Sequence, residues 1–473
     1  MKKDKLAQAL DFISPRKLEE ALKQSAVRKR RRYFRMALAA CLALVLISRI
    51  GFIPMSVPAK AVALTEGSRV EQRPDREDYP DYESFRPHYE RWMEEKDQRF
   101  ADAETAARQA LPFFREGSRL FLSGTQNSLW APANAWIGLA MLAETTGGDT
   151  RQQLLELLGV DSLEQLRTEV SAVWETTNRD DGNEICTLAN SLWLDSDLDY
   201  IGQTMENLAH YHYADVYQGD FGTARTDKAM QTWLSNHTGG LLKRQAGTVS
   251  MPEDTVLALA STIYFQSKWS DEFSAARNTH DVFHAPGGDV TATYMNKKLA
   301  QMYYYWGDSF GAVSLWLKNG SRMWFVLPDA DKTIDDVLKD GQYLEIITNS
   351  AAFQETNGKY MKVNLSVPKF DVASSRDLKQ GLQAMGISNV FTPGTANFTP
   401  AIENEMVFVS SVNQAVRVQI DEQGVKAAAY IEIPGAGAAA PPEEIIDFIL
   451  DRPFLFVITS NNLPLFAGAV NTP

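Results

Sequence analysis

A chain of 473 residues that is 44% hydrophobic and 23% charged can bury a substantial core, which excludes disorder along its whole length. Its charge is unevenly placed: residues 1–35 hold 12 Lys+Arg against 4 Asp+Glu, leaving 35 against 56 for the remainder. So acidic a remainder excludes nucleic acid as a partner, because phosphate binding needs clustered Lys and Arg.

The basic run RKRRRYFR ends at Arg35, and the apolar stretch MALAACLALVLISRIGFIPMSV follows, interrupted by Arg49. Residues 36–55 therefore read as a membrane-inserting segment: an uncleaved anchor, or a signal removed after Ala59-Lys60-Ala61. Positive charge ahead of it keeps residues 1–35 cytoplasmic and places the rest outside the cytoplasm, displayed on the cell surface or secreted. Residues 62–100 are dense in charge, with Pro74, Pro80 and Pro87, and are predicted to be a juxtamembrane linker ending in a short helix. With only Cys41 and Cys186, no disulfide framework is expected.

One large α+β domain is predicted over 101–473. ADAETAARQALPFFREGSRLFL has helical spacing, and another helix follows SLWAP. Thr150 and Gln153 form a capping-box signature before LLELL, which Gly159 closes. Strand-like runs come next, at ICTLANSLWL, VLALASTIYF, AVSLWL, RMWFVL, KVNLSV, MVFVSSV and FLFVITS. Helical patterns at IGQTMENLAHYH, TDKAMQTWLSNH and SRDLKQGLQAMG are interleaved with them. Several of the runs are apolar on both faces, as buried strands are.

Little in the sequence speaks of catalysis. His88, His210, His212, His237, His280 and His284 stand at no metal-binding spacing, and no cofactor fingerprint is present, so neither metal nor cofactor is expected. Gly307-Asp308-Ser309-Phe310-Gly311 matches GxSxG, but an apolar strand and a hairpin signature at Asn319-Gly320 follow it instead of a helix. A turn between strands is the better account, and the chain is not read as an enzyme.

Near the C-terminus AVRVQIDE places Val416, Val418 and Ile420 on one face of a strand. Past Gly424 the alternation resumes, with Val425, Ala427, Ala429, Ile431 and Ile433 on one side. The small Ala427 and Ala429 would let this second strand slide between two neighbours. The run from Pro434 to Pro442 holds a strand poorly and is expected to be exposed and easily cut.

From FFREGSRLFL to the terminus the chain resembles the serpin superfamily, in the bacterial form with an N-terminal membrane or signal segment. The likeness rests on NSLWAPANAWIGLAMLAETTGGDTRQQLLELLGV, LANSLWLDSDL, LALASTIYFQSKWSDEF, VPKFDVASSRDLKQGLQAMGI, VRVQIDEQGVKAAA and DRPFLFVITSNNLPLFAGAVNTP, in order. It implies a serpin fold: a large central mixed β-sheet with smaller sheets, about eight to nine surrounding helices and an exposed reactive loop. It also implies a monomeric suicide inhibitor whose loop is attacked by a serine protease and, once cut, inserts into the sheet as a covalent acyl complex. Counted from the hinge glycine, the reactive bond would be Ala438-Ala439, behind a hinge of Gly424, Val425, Lys426, Ala427, Ala428 and Ala429. Small residues around that bond imply an elastase-like or subtilisin-like target. A cysteine protease as target, or a non-inhibitory carrier, are the alternatives. Trp269, Lys369 and Glu422 match family positions where the loop inserts, Lys369 and Glu422 as a pair. Ala131, Ser261 and Gln414 depart from the serine, asparagine and histidine usual in the polar cluster beneath the sliding strands, and Lys426 replaces a usual acid.

Overall fold

The computed structural model describes residues 62–65, 73–180, 185–403, 407–425 and 443–473. The strands begin with β1 (Val62–Thr65), β2 (Ser128–Trp130), β3 (Arg179–Asp180), β4 (Ile185–Asp195), β5 (Ala214–Gly219) and β6 (Leu257–Lys268). Next come β7 (Thr279–Ala285), β8 (Gly288–Trp306), β9 (Phe310–Trp316), β10 (Arg322–Pro328), β11 (Gly358–Pro368) and β12 (Phe370–Asp377). The last are β13 (Asn413–Ile420), β14 (Gly424–Val425), β15 (Ile445–Ile449), β16 (Phe454–Ser460) and β17 (Leu463–Val470).

Nine strands form the largest sheet, in the order β15-β11-β8-β9-β10-β16-β17-β2 with β7 beside β8. Six form a second, β1-β5-β4-β6-β14 with β3 beside β4, while β12 and β13 make a separate antiparallel pair. The β4–β5 and β11–β15 pairs are parallel and the others antiparallel, so both larger sheets are mixed, in keeping with the expected α+β class. Every residue of β16 and β17 is buried, which explains why FLFVITS and LPLFAGAV carry no alternation. The helix Pro132–Thr145 is buried on nearly every side, with Trp136, Ile137 and Ala140 at its centre, and packs against β6 and β17. Its Glu144 is buried and receives a two-pronged bond from Arg167, at 3.0 and 2.6 Å, and one from Asn207 at 3.0 Å. His212 lies 3.4 Å away. Burial works to raise the Glu144 carboxyl, but the His212 and Arg167 contacts outweigh it and hold it down to about 2. Cys186 in β4 is buried and free, and burial pushes its thiol up to about 12.

Four expectations are corrected. The segment 62–100 is not simply a linker: β1 pairs with β5, and a helix runs over Tyr82–Gln109. That helix opens on a reciprocal Asp81–Ser84 capping box and buries Phe85, Ala103, Ala106 and Ala107. Its charges, which suggested a linker, occupy the outer face, and Arg99 meets Glu175 at 3.0 Å. Thr150 and Gln153 form no capping box, because the helix Gly148–Leu158 starts earlier with Gly147 as its cap. Both side chains instead hold the 388–397 segment, Thr150 accepting from the Asn397 N–H and Gln153 from those of Ser388 and Asn389. Residues 407–412 of MVFVSSV form no strand, β13 beginning only at Asn413. In SRDLKQGLQAMG the first three residues end β12, and the helix is confined to Lys379–Ala384. As expected, a turn lies in the GxSxG segment: Gly307, Asp308 and Ser309 connect β8 to β9, which begins at Phe310, and Gly320, with a φ of 79°, lies in the turn between β9 and β10.

Among the described residues no helix is long and apolar enough to cross a membrane. The expected membrane segment 36–55 and the basic segment 1–35 lie outside the described residues.

Candidate functional site

The alternation in β13 buries Val416, Val418 and Ile420 and brings the chain to a tight turn. There the Asp421 carboxylate accepts the N–H groups of Gln423, at 2.9 Å, and Gly424, at 3.3 Å, while its own N–H donates to the Gly424 carbonyl at 3.1 Å. Gly424 has a φ of 149°, and a Cβ there would stand 2.4 Å from the Lys268 Cα. Only glycine lets the chain lie this close to β6, where Gly424 pairs with Lys268 and Val425 with Ser267.

Three successive carbonyls of the turn are gripped from one side. Trp269 Nε1 donates to Asp421 O at 2.9 Å, the Phe273 N–H to Glu422 O at 3.0 Å, and the Trp269 N–H to Gln423 O at 3.1 Å. The Glu422 carboxylate pairs with Lys369 Nζ at 2.5 Å and also accepts from Asn278 Nδ2. Burial works to raise this carboxyl, but the Lys369 and Asn278 hydrogen bonds prevail and keep it below the usual range. Trp269, Lys369 and Glu422 thus come together on one turn. Asn278 and Phe273 escaped the sequence reading: Phe273 acts through its backbone N–H, and no spacing marks either.

Below the turn β6 and β13 part. The hydrogen-bonded neighbours of β6 are β4 and β14, and that of β13 is β12. Between them lies a cavity of about 420 Å³, lined by Ile263 and Phe265 of β6, Val416 and Val418 of β13, and Val425 at its mouth. Polar side chains cross it further down. Asn134 Nδ2 donates to Ser261 Oγ at 2.8 Å, and Gln414 Nε2 donates to Asn134 Oδ1 at 3.4 Å. Gln414 also clasps the Ala131 backbone, accepting from its N–H and donating to its carbonyl, each at 3.0 Å. Ala131, Ser261 and Gln414 therefore do form one cluster. Asn134, which sequence reasoning missed, is the link between the two strands.

The rest of the expected hinge, Lys426, Ala427, Ala428 and Ala429, and the expected reactive bond Ala438-Ala439 lie outside the described residues. Ser309 is buried, and its hydroxyl has no hydrogen-bond partner among the described residues, so it lacks the adjacent base that an activated nucleophile needs. No group of three or more His, Cys, Asp or Glu among the described residues is placed to hold a metal ion.

Comparison with known proteins bears on this arrangement. Serpin-Z1C of Triticum aestivum is 27% identical over 369 residues, covering 74% of this chain and 91% of its own. Plasminogen activator inhibitor 1 of Sus scrofa is 27% identical over 371 residues, covering 74% and 88%. The native-state crystal structure of the thermophilic serpin tengpin superimposes with a TM-score of 0.68 at 22% identity, covering 88% of this chain and all of tengpin's. The family profile described as serpin (serine protease inhibitor) matches residues 109–473, leaving the first 108 outside it. A match over so much of the length settles the family: the chain belongs to the serpins.

Proposed function

We propose that this protein traps a serine protease by offering residues 425–438 as a substrate and drawing them between β6 and β13 once they are cut. The protease's serine oxygen attacks the Ala438 carbonyl carbon, the bond to Ala439 N breaks, and the proton passes to the departing amine, leaving an ester. The observation that carries this reading is the cavity between β6 and β13, with Val425 already on β6 at its mouth.

Extending the antiparallel register from Gly424–Lys268 and Val425–Ser267 sets residue 427 opposite Phe265, 429 opposite Ile263 and 431 opposite Ser261. On that register Ala427 and Ala429 enter between the apolar residues of the cavity, and Ile431 reaches the polar crossing. Fourteen residues at roughly 3.3 Å each would carry the acylated protease about 46 Å. New backbone hydrogen bonds at about 1 kcal/mol net apiece contribute on the order of 10 kcal/mol. That is sufficient to distort an acyl-enzyme whose hydrolysis depends on oxyanion geometry. The small side chains of GAGAAAPP favour an elastase-like or subtilisin-like enzyme with a shallow pocket. Residues 36–55 would place the inhibitor outside the cytoplasm, anchored or secreted.

Mixing the protein with pancreatic elastase or subtilisin and running a denaturing gel tests this. A band at the summed mass of inhibitor and protease is expected. Cleaved chain alone, with the protease fully active, would favour a carrier that is cut without trapping.

A further inference from the structure

The segment that grips the turn has two halves, held in different ways. Its first half is fixed by backbone: Trp269 bridges to Leu317, and the Ser270 N–H donates to Trp316 O at 2.9 Å. Over Asp271–Phe273 the one backbone hydrogen bond among the described residues is that from the Phe273 N–H to Glu422 O, at 3.0 Å. Something else must shape that half.

Lys297 does so from β8. It is 8% exposed, an unusual place for an ammonium. Its Nζ donates to the Asp271 carbonyl and, at 3.3 Å, to the Glu272 carbonyl, and it pairs with the Asp271 carboxylate at 2.7 Å. It also stands 5.2 Å from the centre of the Phe273 ring. An ammonium has three protons to donate, and here three oxygens face it, two of them backbone carbonyls. The charges around it are those of Asp271, Glu272 and Arg277; Glu272 itself reaches toward Lys268 and Lys318, at 3.4 and 3.6 Å. The contacts to carbonyl oxygens make Lys297 a template for the backbone, which an exposed ion pair is not.

We propose that Lys297 is a positioning residue for loop insertion: by fixing the Asp271 and Glu272 carbonyls it aims the Phe273 N–H at Glu422 O and holds the turn at the mouth of the cavity. Its role in inhibition rests on the reading of residues 425–438 given above, whereas its hold on the turn does not.

Hydrogen exchange resolved to single amides, on the full-length protein, separates the two halves of the segment. Lys297→Met should speed exchange at Phe273 about tenfold or more, leave Trp269 and the β16 amides at their wild-type rates, and raise the ratio of cleaved to covalently trapped product with subtilisin. Lys297→Arg, which keeps charge and donors, should restore most of the protection. Should the methionine variant not fold, Lys297→Gln, which keeps a shorter donor, is read in the same way with a smaller shift. Unchanged exchange at Phe273, or equal acceleration at Trp269 and β16, overturns the proposal. If the Phe273 shift appears but the wild-type protein traps no protease, the hold on the turn stands and the inhibitory reading falls.

Discussion

Gly424, next to Val425 of the cavity lining, and Gln414, which lines it, are each sensitive for a different reason. At Gly424 the obstacle is the backbone of β6, which cannot swing aside as a side chain would. Gly424→Ala should therefore detach β14 and cost about 1–3 kcal/mol of local stability. The detachment would appear as faster exchange at Val425 and fewer covalent complexes on a gel. Gln414 is buried, and truncating it would leave the Ala131 N–H without its partner and the Ala131 carbonyl with the Ala135 N–H alone. Gln414→Ala should destabilise by about 1–3 kcal/mol, read as a lower urea midpoint with an unchanged slope. Lys369→Met should matter less than either, since that lysine is partly exposed and solvent screens the pair.

At the level of elements, Glu144 ties together the helices Pro132–Thr145, Leu163–Thr177 and Gly202–Tyr211 through Arg167 and Asn207. Its folded-state carboxyl titrates at about 2 against an ordinary 4.5. The stability it supplies is thus complete above about 4.5 and is lost as the pH falls toward 2, a contribution on the order of 3 kcal/mol. Urea midpoints should fall steeply between about pH 4.5 and pH 2 in the wild type, and Glu144→Gln should be weaker at neutral pH with a shallower decline. The same elements show what the sequence discloses. The period of two in β13 and the doubly apolar β16 were legible because burial on one face or both imprints itself on neighbouring residues. Trp269, Lys369 and Glu422, by contrast, were placed through family likeness. Asn134, bonded to Ser261 and Gln414, and Asn278, bonded to Glu422, act across long sequence separations, so nothing near them in the chain announces them. The helix Tyr82–Gln109 was legible from Ala101 onward, where its alanines recur at helical spacing, but its earlier part passes for a linker because charged residues and Pro87 surround a single fully buried side chain, Phe85.

For the whole molecule, the decisive expectation is that cutting the chain strengthens it. If residues 425–438 anneal between β6 and β13, the gain on the order of 10 kcal/mol should raise the melting temperature by about 10 °C or more, by calorimetry of intact and clipped protein. Equal melting temperatures would leave the cavity without the role proposed for it. A practical benefit follows from the lone thiol of β4. Cys186 is shielded from solvent and, with burial pushing it up to about 12, stays protonated at neutral pH, so maleimides and oxidants should pass it by. In a chain shortened to remove Cys41, a cysteine introduced at Ala436 would then take up a fluorophore alone, and its colour shift would time the strand's passage in a stopped-flow cell.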